Sequence, residues 1–243
     1  MSKSILITGA SSGIGAATAR QFLENGWTVG LFARRRDRLD AVANGAARAL
    51  VLPGDVTLAE DVQSAVDNLA EHSGRLDAVF ANAGVFTPAA PIDEIAIEDW
   101  HTSVSVNLTG MFLTVRAAFG RMRRQDPQGG RILINGSISA HVPRPGAAPY
   151  TATKHALTGL TKQTELDGRD YGITCSQIDI GNAHTEMLDA LGRVEIAAGR
   201  QPPPTFPVEE AARAVWHMAT LPPEANILTM TLMAPKMPYI GRG

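Results

Sequence analysis

Tyr150 and Lys154 lie four residues apart in Tyr150-Thr151-Ala152-Thr153-Lys154, so on a helix both side chains leave from one face. A tyrosine hydroxyl, with an ordinary pKa of about 10, is a poor base near neutrality. An ammonium beside it stabilises the phenolate and makes a proton exchangeable with a bound oxygen. Helical Tyr/Lys pairs are common. What singles this one out is Ser137, thirteen positions before Tyr150 and just past a predicted strand, Arg131 to Asn135. Ser139 is close by, but the strand end favours Ser137.

A second constellation opens the chain. Thr8-Gly9-Ala10-Ser11-Ser12-Gly13-Ile14-Gly15 separates a buried strand, Ser4 to Thr8, from an alanine-rich helix, Gly13 to about Asn25. Glycines in such a turn let the backbone approach a pyrophosphate and let helix pack closely on strand. The helix start adds unpaired N–H groups and a positive dipole end.

The elements that must position these residues alternate. Strands are predicted at Thr28–Ala33, Leu50–Leu52, Ala78–Ala81, Ile173–Ile180 and Asn226–Met233, besides the two already named. Helices are predicted through Leu39 and over Ala59–His72, Trp100–Arg124, Pro149–Gly168 and Val208–Thr220. Short apolar strands separated by helical patterns specify βαβ units and an α/β fold, a doubly wound parallel sheet of seven strands with helices on both faces. No repeat or linker divides residues 1–243, which read as one Rossmann domain. The Pro-rich Gln201–Pro207 ends a loop at about 185–207 that we expect to cover substrate.

With these motifs in order, the chain resembles the short-chain dehydrogenase/reductase family in its short single-domain branch, from Ser4 to Gly241-Arg242-Gly243. The resemblance rests on T-G-x-x-x-G-I-G, Gly54-Asp55-Val56, Asn82-Ala83-Gly84, Asn107, Ser137 and Y-x-x-x-K. It implies that Gly9, Ser11, Ser12, Gly13, Ile14 and Gly15 hold the phosphates of a nicotinamide cofactor. It places Asp55 and Val56 at the adenine, and Asn82, Ala83 and Gly84 beside the ribose. Ser137 would polarise the reacting oxygen, Tyr150 exchange its proton, and Lys154 also bind the nicotinamide ribose. Asn107 would distort its helix and hold a water that relays protons to Lys154. Ile180, Gly181, Ala183 and Thr185 would face the nicotinamide. The chain departs from the family where Ala81 replaces a frequent Asn, Gly136 a frequent Ser, and Ile180 a usual Pro.

The end of the second strand selects the cofactor. A carboxylate there favours NAD(H), whereas an arginine pairs with the 2′-phosphate of NADP(H). Asp37 lies about twenty residues past the glycine motif, but the strand stops at Ala33 and Asp37 falls a turn into the next helix. Arg34 therefore takes the site, with Arg35 as a second clamp or an adenine-stacking plane. NADP(H) is expected and NAD(H) is the lesser alternative.

The other classes recede. A net charge of −2 and the acidic residues among Arg34–Arg36, Asp37 and Asp40 leave no basic surface for nucleic acid. No apolar run approaches the ~18 residues of a membrane span, and MSKSILITGA lacks the build of a signal peptide. The single Cys175 excludes a disulfide framework and suits a small buried hydrophobe. His101, His155 and His217 lack partners at metal-ligand spacing, so no metal is expected; His141 and His184 border the site. A cytoplasmic carbonyl reductase acting on a small carbonyl or secondary alcohol is the expectation. Val142, Ala147, Ala148, Leu188 and Phe206 suggest an apolar substrate pocket. The resemblance also implies a homotetramer, or a dimer, through the two long helices and the C-terminal strand. A nonenzymatic NADP-binding regulator on the same fold is the alternative.

Overall fold

Strands of a parallel sheet covered on both faces carry apolar side chains at nearly every position. The computed structural model describes residues 2–197, 199 and 201–239. In it Ser4–Thr8 (β1), Thr28–Ala33 (β2), Ala49–Pro53 (β3) and Ala78–Ala81 (β4) form such strands, as do Gly130–Asn135 (β5), Ile173–Gly181 (β6) and Thr229–Met233 (β7). All seven are parallel, in the order β3-β2-β1-β4-β5-β6-β7. Alternation divides their side chains between two cores. Ile5, Ile7, Val29 and Leu31 pack against Gly13–Glu24 (α1), Arg36–Ala43 (α2) and Val208–Thr220 (α8). Leu6, Phe32, Val79 and Ile132 pack against Ala59–Ser73 (α3), Gly110–Arg124 (α5) and Ala148–Gly168 (α6). Phe22, Trp27 and Trp216 close the first core edge to face, with ring centroids 4.9–5.8 Å apart.

The strand order reverses direction between β1 and β4. Chains leaving these neighbours run to opposite faces and open a crevice at the carboxyl ends of the sheet. The glycine turn after β1, Asn82 after β4 and Ser137 after β5 all stand at that rim.

Three elements differ from expectation. The predicted helix Trp100–Arg124 starts earlier, at Ile97–Val104 (α4), and passes through a π-helical turn, Ser105–Thr109, before α5. The stretch read as a loop at about 185–207 begins with a helix, Glu186–Ala197 (α7), whose first turn carries Glu186 and Asp189 at the positive dipole end. The last strand starts at Thr229, not Asn226. The terminal Gly241-Arg242-Gly243 lies outside the described residues.

Candidate active site

The turn after β1 approaches β4 so closely that side chains would not fit. A Cβ on Gly9, which has φ +66°, would lie 2.9 Å from the Cα of Ala83. A Cβ on Gly15 would lie 2.3 Å from the Gly9 carbonyl oxygen. Asn82 locks the same corner: its Nδ2 donates to the Thr8 carbonyl at 2.9 Å, and its Oδ1 accepts from Asn135 Nδ2 at 2.8 Å. No side chain caps α1, whose N-cap Ser12 is extended. The first N–H groups of α1 therefore lack a side-chain acceptor where Ser11, Ser12, Gly13 and Ile14 line a cleft of ≈ 430 Å³.

That cleft also gathers residues from the other strand ends. Arg34 and Arg35 line it beyond β2, Asp55 and Val56 beyond β3, and Ala83 and Gly84 beyond β4. Asp37 sits in the first turn of α2 and does not line it. Asp55 Oδ1 accepts from the N–H and the hydroxyl of Thr57, at 2.9 and 2.8 Å. Ile180, Ala183 and Thr185 line the near wall, whereas Gly181 packs against Ile138, Met233 and Met237. Asn182, held at φ +58° with its Nδ2 donating to the Pro204 carbonyl, lines the wall in place of Gly181.

The reacting end lies on α6 and the turn after β5. Ser137, Tyr150 and Lys154 converge on the cleft, with Ser137 near enough to the Tyr150 phenol to favour its ionised form. Ser137 Oγ also accepts the Ser139 N–H at 3.1 Å, which leaves its own proton to donate to another acceptor. Burial pushes the Tyr150 pKa up, against the lowering effects of Ser137 and Arg144, while Asp179 raises it further. Lys154 Nζ donates to the Asn135 carbonyl at 2.7 Å and lies 5.5 Å from the Tyr150 ring centroid. Burial lowers its pKa from 10.5 to about 8, with Asp179 pulling the other way.

Asn107 is fully buried at the centre of the π turn and accounts for it. Its Oδ1 accepts from the Val85 N–H at 2.8 Å, and its Nδ2 donates to the Val85 carbonyl at 2.9 Å and to Ser103 Oγ at 3.1 Å. The helix widens to bring that amide against an extended backbone segment.

Further side chains gather at this end. Phe86 stacks on Tyr150 with ring centroids 4.0 Å apart, and the Arg144 guanidinium lies 5.7 Å from the Phe86 centroid. Both line the cleft, with Thr102. Of the apolar residues expected there, Leu188 lines it; Val142, Ala147, Ala148 and Phe206 do not. Phe206 instead bridges Ala183 as a short parallel pairing. His184 pairs with Asp189 and His141 with Asp179, each at 2.8 Å, and neither lines the cleft. Cys175 is buried and its thiol pKa is pushed up. Among the described residues no cluster of three or more His, Cys, Asp or Glu could hold a metal, and no helix is long and apolar enough to cross a membrane.

The sequence profile of the family described as short chain dehydrogenase matches residues 3–195. Sulfoacetaldehyde reductase 2 of Chromohalobacter salexigens is 30% identical over 239 residues, covering 96% of this chain and 94% of the relative. Serine 3-dehydrogenase of Agrobacterium fabrum is 30% identical over 245 residues, covering 99% and 97%. The closed form of a serine dehydrogenase complexed with NADP+ superposes with a TM-score of 0.89 at 25% identity, covering 99% of this chain and 98% of that one. A 3-ketoacyl-(acyl-carrier-protein) reductase from Brucella melitensis complexed with NADH gives a TM-score of 0.85 at 25% identity, covering 95% and 96%.

Proposed function

This chain belongs to the short-chain dehydrogenase family, and on that premise we propose that it is an NADP(H)-dependent oxidoreductase interconverting a carbonyl and a secondary alcohol. The convergence of Ser137, Tyr150 and Lys154 on one cleft carries the proposal. The cleft fits a nicotinamide dinucleotide: its turn excludes any Cβ at Gly9 and Gly15, and an uncapped helix start faces it. Ser11 to Ile14 would hold the phosphates, Asp55 and Val56 the adenine, Ala83 and Gly84 the ribose, and Ile180, Ala183 and Thr185 the nicotinamide. When bound, that group supplies or accepts the hydride.

The protein's own residues manage the proton. Burial holds Tyr150 as a neutral phenol, which is the form that can protonate a carbonyl oxygen. Ser137, whose Oγ already accepts the Ser139 N–H, donates its own proton to the same oxygen. As the phenol loses its proton, the positive charges of Lys154 and Arg144 stabilise the phenolate. Asn107 anchors the relay to Lys154. Its side chain is committed to Val85 and Ser103, so a relay water would meet the main chain of the π turn or the second lone pair of Oδ1.

The NADP(H) preference rests on Arg34 and Arg35, which line the cleft where β2 ends, with Asp37 outside it. It also draws support from the NADP+ bound to the serine dehydrogenase, whereas the ketoacyl reductase bears NADH. We read the chain as one cytoplasmic unit in which residues at about 185–207, α7 included, cover a small-molecule substrate. Exposed Phe112 on α5 and Leu166 on α6 suit assembly into a homotetramer or dimer.

The test pairs NADPH titration with turnover across a panel of carbonyls. Tyr150→Phe removes only the hydroxyl, so NADPH binding is retained while turnover falls by about 10²- to 10⁴-fold. Full turnover by that variant would remove Tyr150 from the role. A wild type that binds NADPH and turns over nothing would leave the nonenzymatic regulator as the better reading.

A further inference from the structure

A buried carboxylate that the proton chemistry does not use lies behind the serine. Asp179, on β6, is 1% exposed. Its Oδ1 accepts the Ser137 N–H at 2.8 Å and Gln177 Nε2 at 2.8 Å. Its Oδ2 faces His141 Nε2 at 2.8 Å. A carboxylate only accepts, so the imidazole donates from Nε2. One carboxylate thus grips both ends of the turn from Ser137 to His141, which contains the 3₁₀ turn Ile138–Ala140. Space for it exists because residue 136 lacks a side chain: a Cβ on Gly136 would lie 2.1 Å from Asp179 Oδ1. The strand SQIDIG would otherwise be an unfavourable place for a charge, and three donors are what make its burial tolerable.

Building on the oxidoreductase reading, we propose that Asp179 is a positioning residue for the reaction, fixing the Ser137 hydroxyl through its turn, with Gly136 as the opening that admits the carboxylate and His141 as the donor that holds it. Asp179 touches neither the cleft nor, on this reading, the substrate. It acts through Ser137 and through its field. The titratable groups that face it are His141 from the turn and Tyr150 and Lys154 from α6, while β7 sets Thr231 beside it in register. Its negative charge favours the ammonium of Lys154 and disfavours the phenolate of Tyr150, so both groups keep their protons to higher pH while it is present.

Two variants separate shape from charge. Asp179→Ala frees the turn, and because a displacement of about 1 Å at a reacting group costs on the order of 10²-fold, kcat should fall by about that factor with substrate KM and NADPH affinity little changed. Asp179→Asn keeps the shape and an acceptor for Ser137, so kcat should fall less, while the alkaline limb of the pH profile moves to lower pH. A merely structural residue would not move that limb. Coupling to Gly136 gives an independent check. Gly136→Ser alone should be severely impaired because it strikes the carboxylate. Combined with Asp179→Ala it should recover part of the loss instead of adding to it. A readout without turnover is hydrogen exchange at the Ser137 amide of the cofactor-free protein, which should lose protection in Asp179→Ala. The proposal is overturned if folded Asp179→Ala keeps wild-type kcat and Ser137 protection, if the Asp179→Asn profile is unmoved, or if the Gly136 and Asp179 losses simply add. A wild type that turns over no carbonyl would instead defeat the oxidoreductase reading, and the exchange and folding measurements would still judge the role of Asp179 in the turn.

Discussion

Replacing Lys154 by methionine should stabilise the cofactor-free protein while abolishing its turnover. Lys154 is 3% exposed, and burial brings its pKa from 10.5 down to about 8. At about 1.4 kcal/mol per pH unit, holding the proton there costs the fold about 3 kcal/mol at about pH 7. Methionine removes that cost and keeps the apolar stem, but it leaves the Asn135 carbonyl short of the 2.7 Å bond from Nζ, a loss of about 1 kcal/mol. The net expectation is a gain of about 2 kcal/mol. Its pH dependence is the stronger signature. Below about pH 8 both folded and unfolded lysine are protonated and the whole penalty is felt. Between about 8 and 10.5 the unfolded chain binds the proton that the folded protein has released, so wild-type stability rises with pH across that window. Lys154→Met has no such rise, and the raised pKa of Tyr150 acts on stability only above about pH 10, beyond this window. Urea unfolding of the two, from about pH 7 to about pH 10, should show a gap that favours the variant and closes as pH rises. A variant less stable than wild type at about pH 7, or a gap that ignores pH, would refute the reasoning.

Three further outcomes are expected. Arg34→Ala should raise the KM for NADPH by about tenfold or more and leave that for NADH nearly unchanged, since a charge-assisted contact is worth about 1.5–3 kcal/mol; paired initial-rate measurements check it. Gly15→Ala places a Cβ 2.3 Å from the Gly9 carbonyl and must shift the turn. Its NADPH affinity, read by fluorescence titration, should drop by about tenfold with the far-UV spectrum retained, because contacts at a helix start are worth up to about 2 kcal/mol. Asn107→Leu strands the Val85 N–H and carbonyl, and at about 2 kcal/mol for these groups should lower the calorimetric midpoint by several degrees as well as reduce turnover.

Much of the fold was legible because its signals are local. Ile5–Ile7 within Ser4–Thr8, and Ala78–Ala81, are short apolar runs, and both strands stand in the sheet as read. The lining of the cleft beyond β2 was legible for the same reason: a glycine turn, a strand end at Ala33 and a helix start put Arg34 at the sheet rim without knowledge of distant contacts. Helix α7 was missed because the Pro-rich Gln201–Pro207 dominates the reading of its neighbourhood, although Glu186-Met187-Leu188-Asp189 carries acidic residues in a first turn. The π turn leaves almost no trace in periodicity, since one added residue per turn perturbs a long amphipathic pattern only slightly, and Asn107 was its sole marker. The stacking of Phe86 on Tyr150, with Arg144 over Phe86, depends on side-chain packing that no local pattern encodes.

Asp179 is the instructive omission, because its signal was present. A carboxylate inside an apolar strand of a sheet covered on both faces must find several donors or not be there. The loss of a side chain at Gly136 is the other half of the same feature, and only the fold brings the two within 2.1 Å of where a Cβ would be. Taken with its neighbours it also adds to the balance of the site. Burial does most to hold the Tyr150 proton, Ser137 and Arg144 pull against it, and Asp179 adds to the effect of burial while sustaining the ammonium of Lys154. In the proposed reaction the tyrosine then keeps its proton until a carbonyl oxygen gains charge beside it, with the cations in place to stabilise the phenolate.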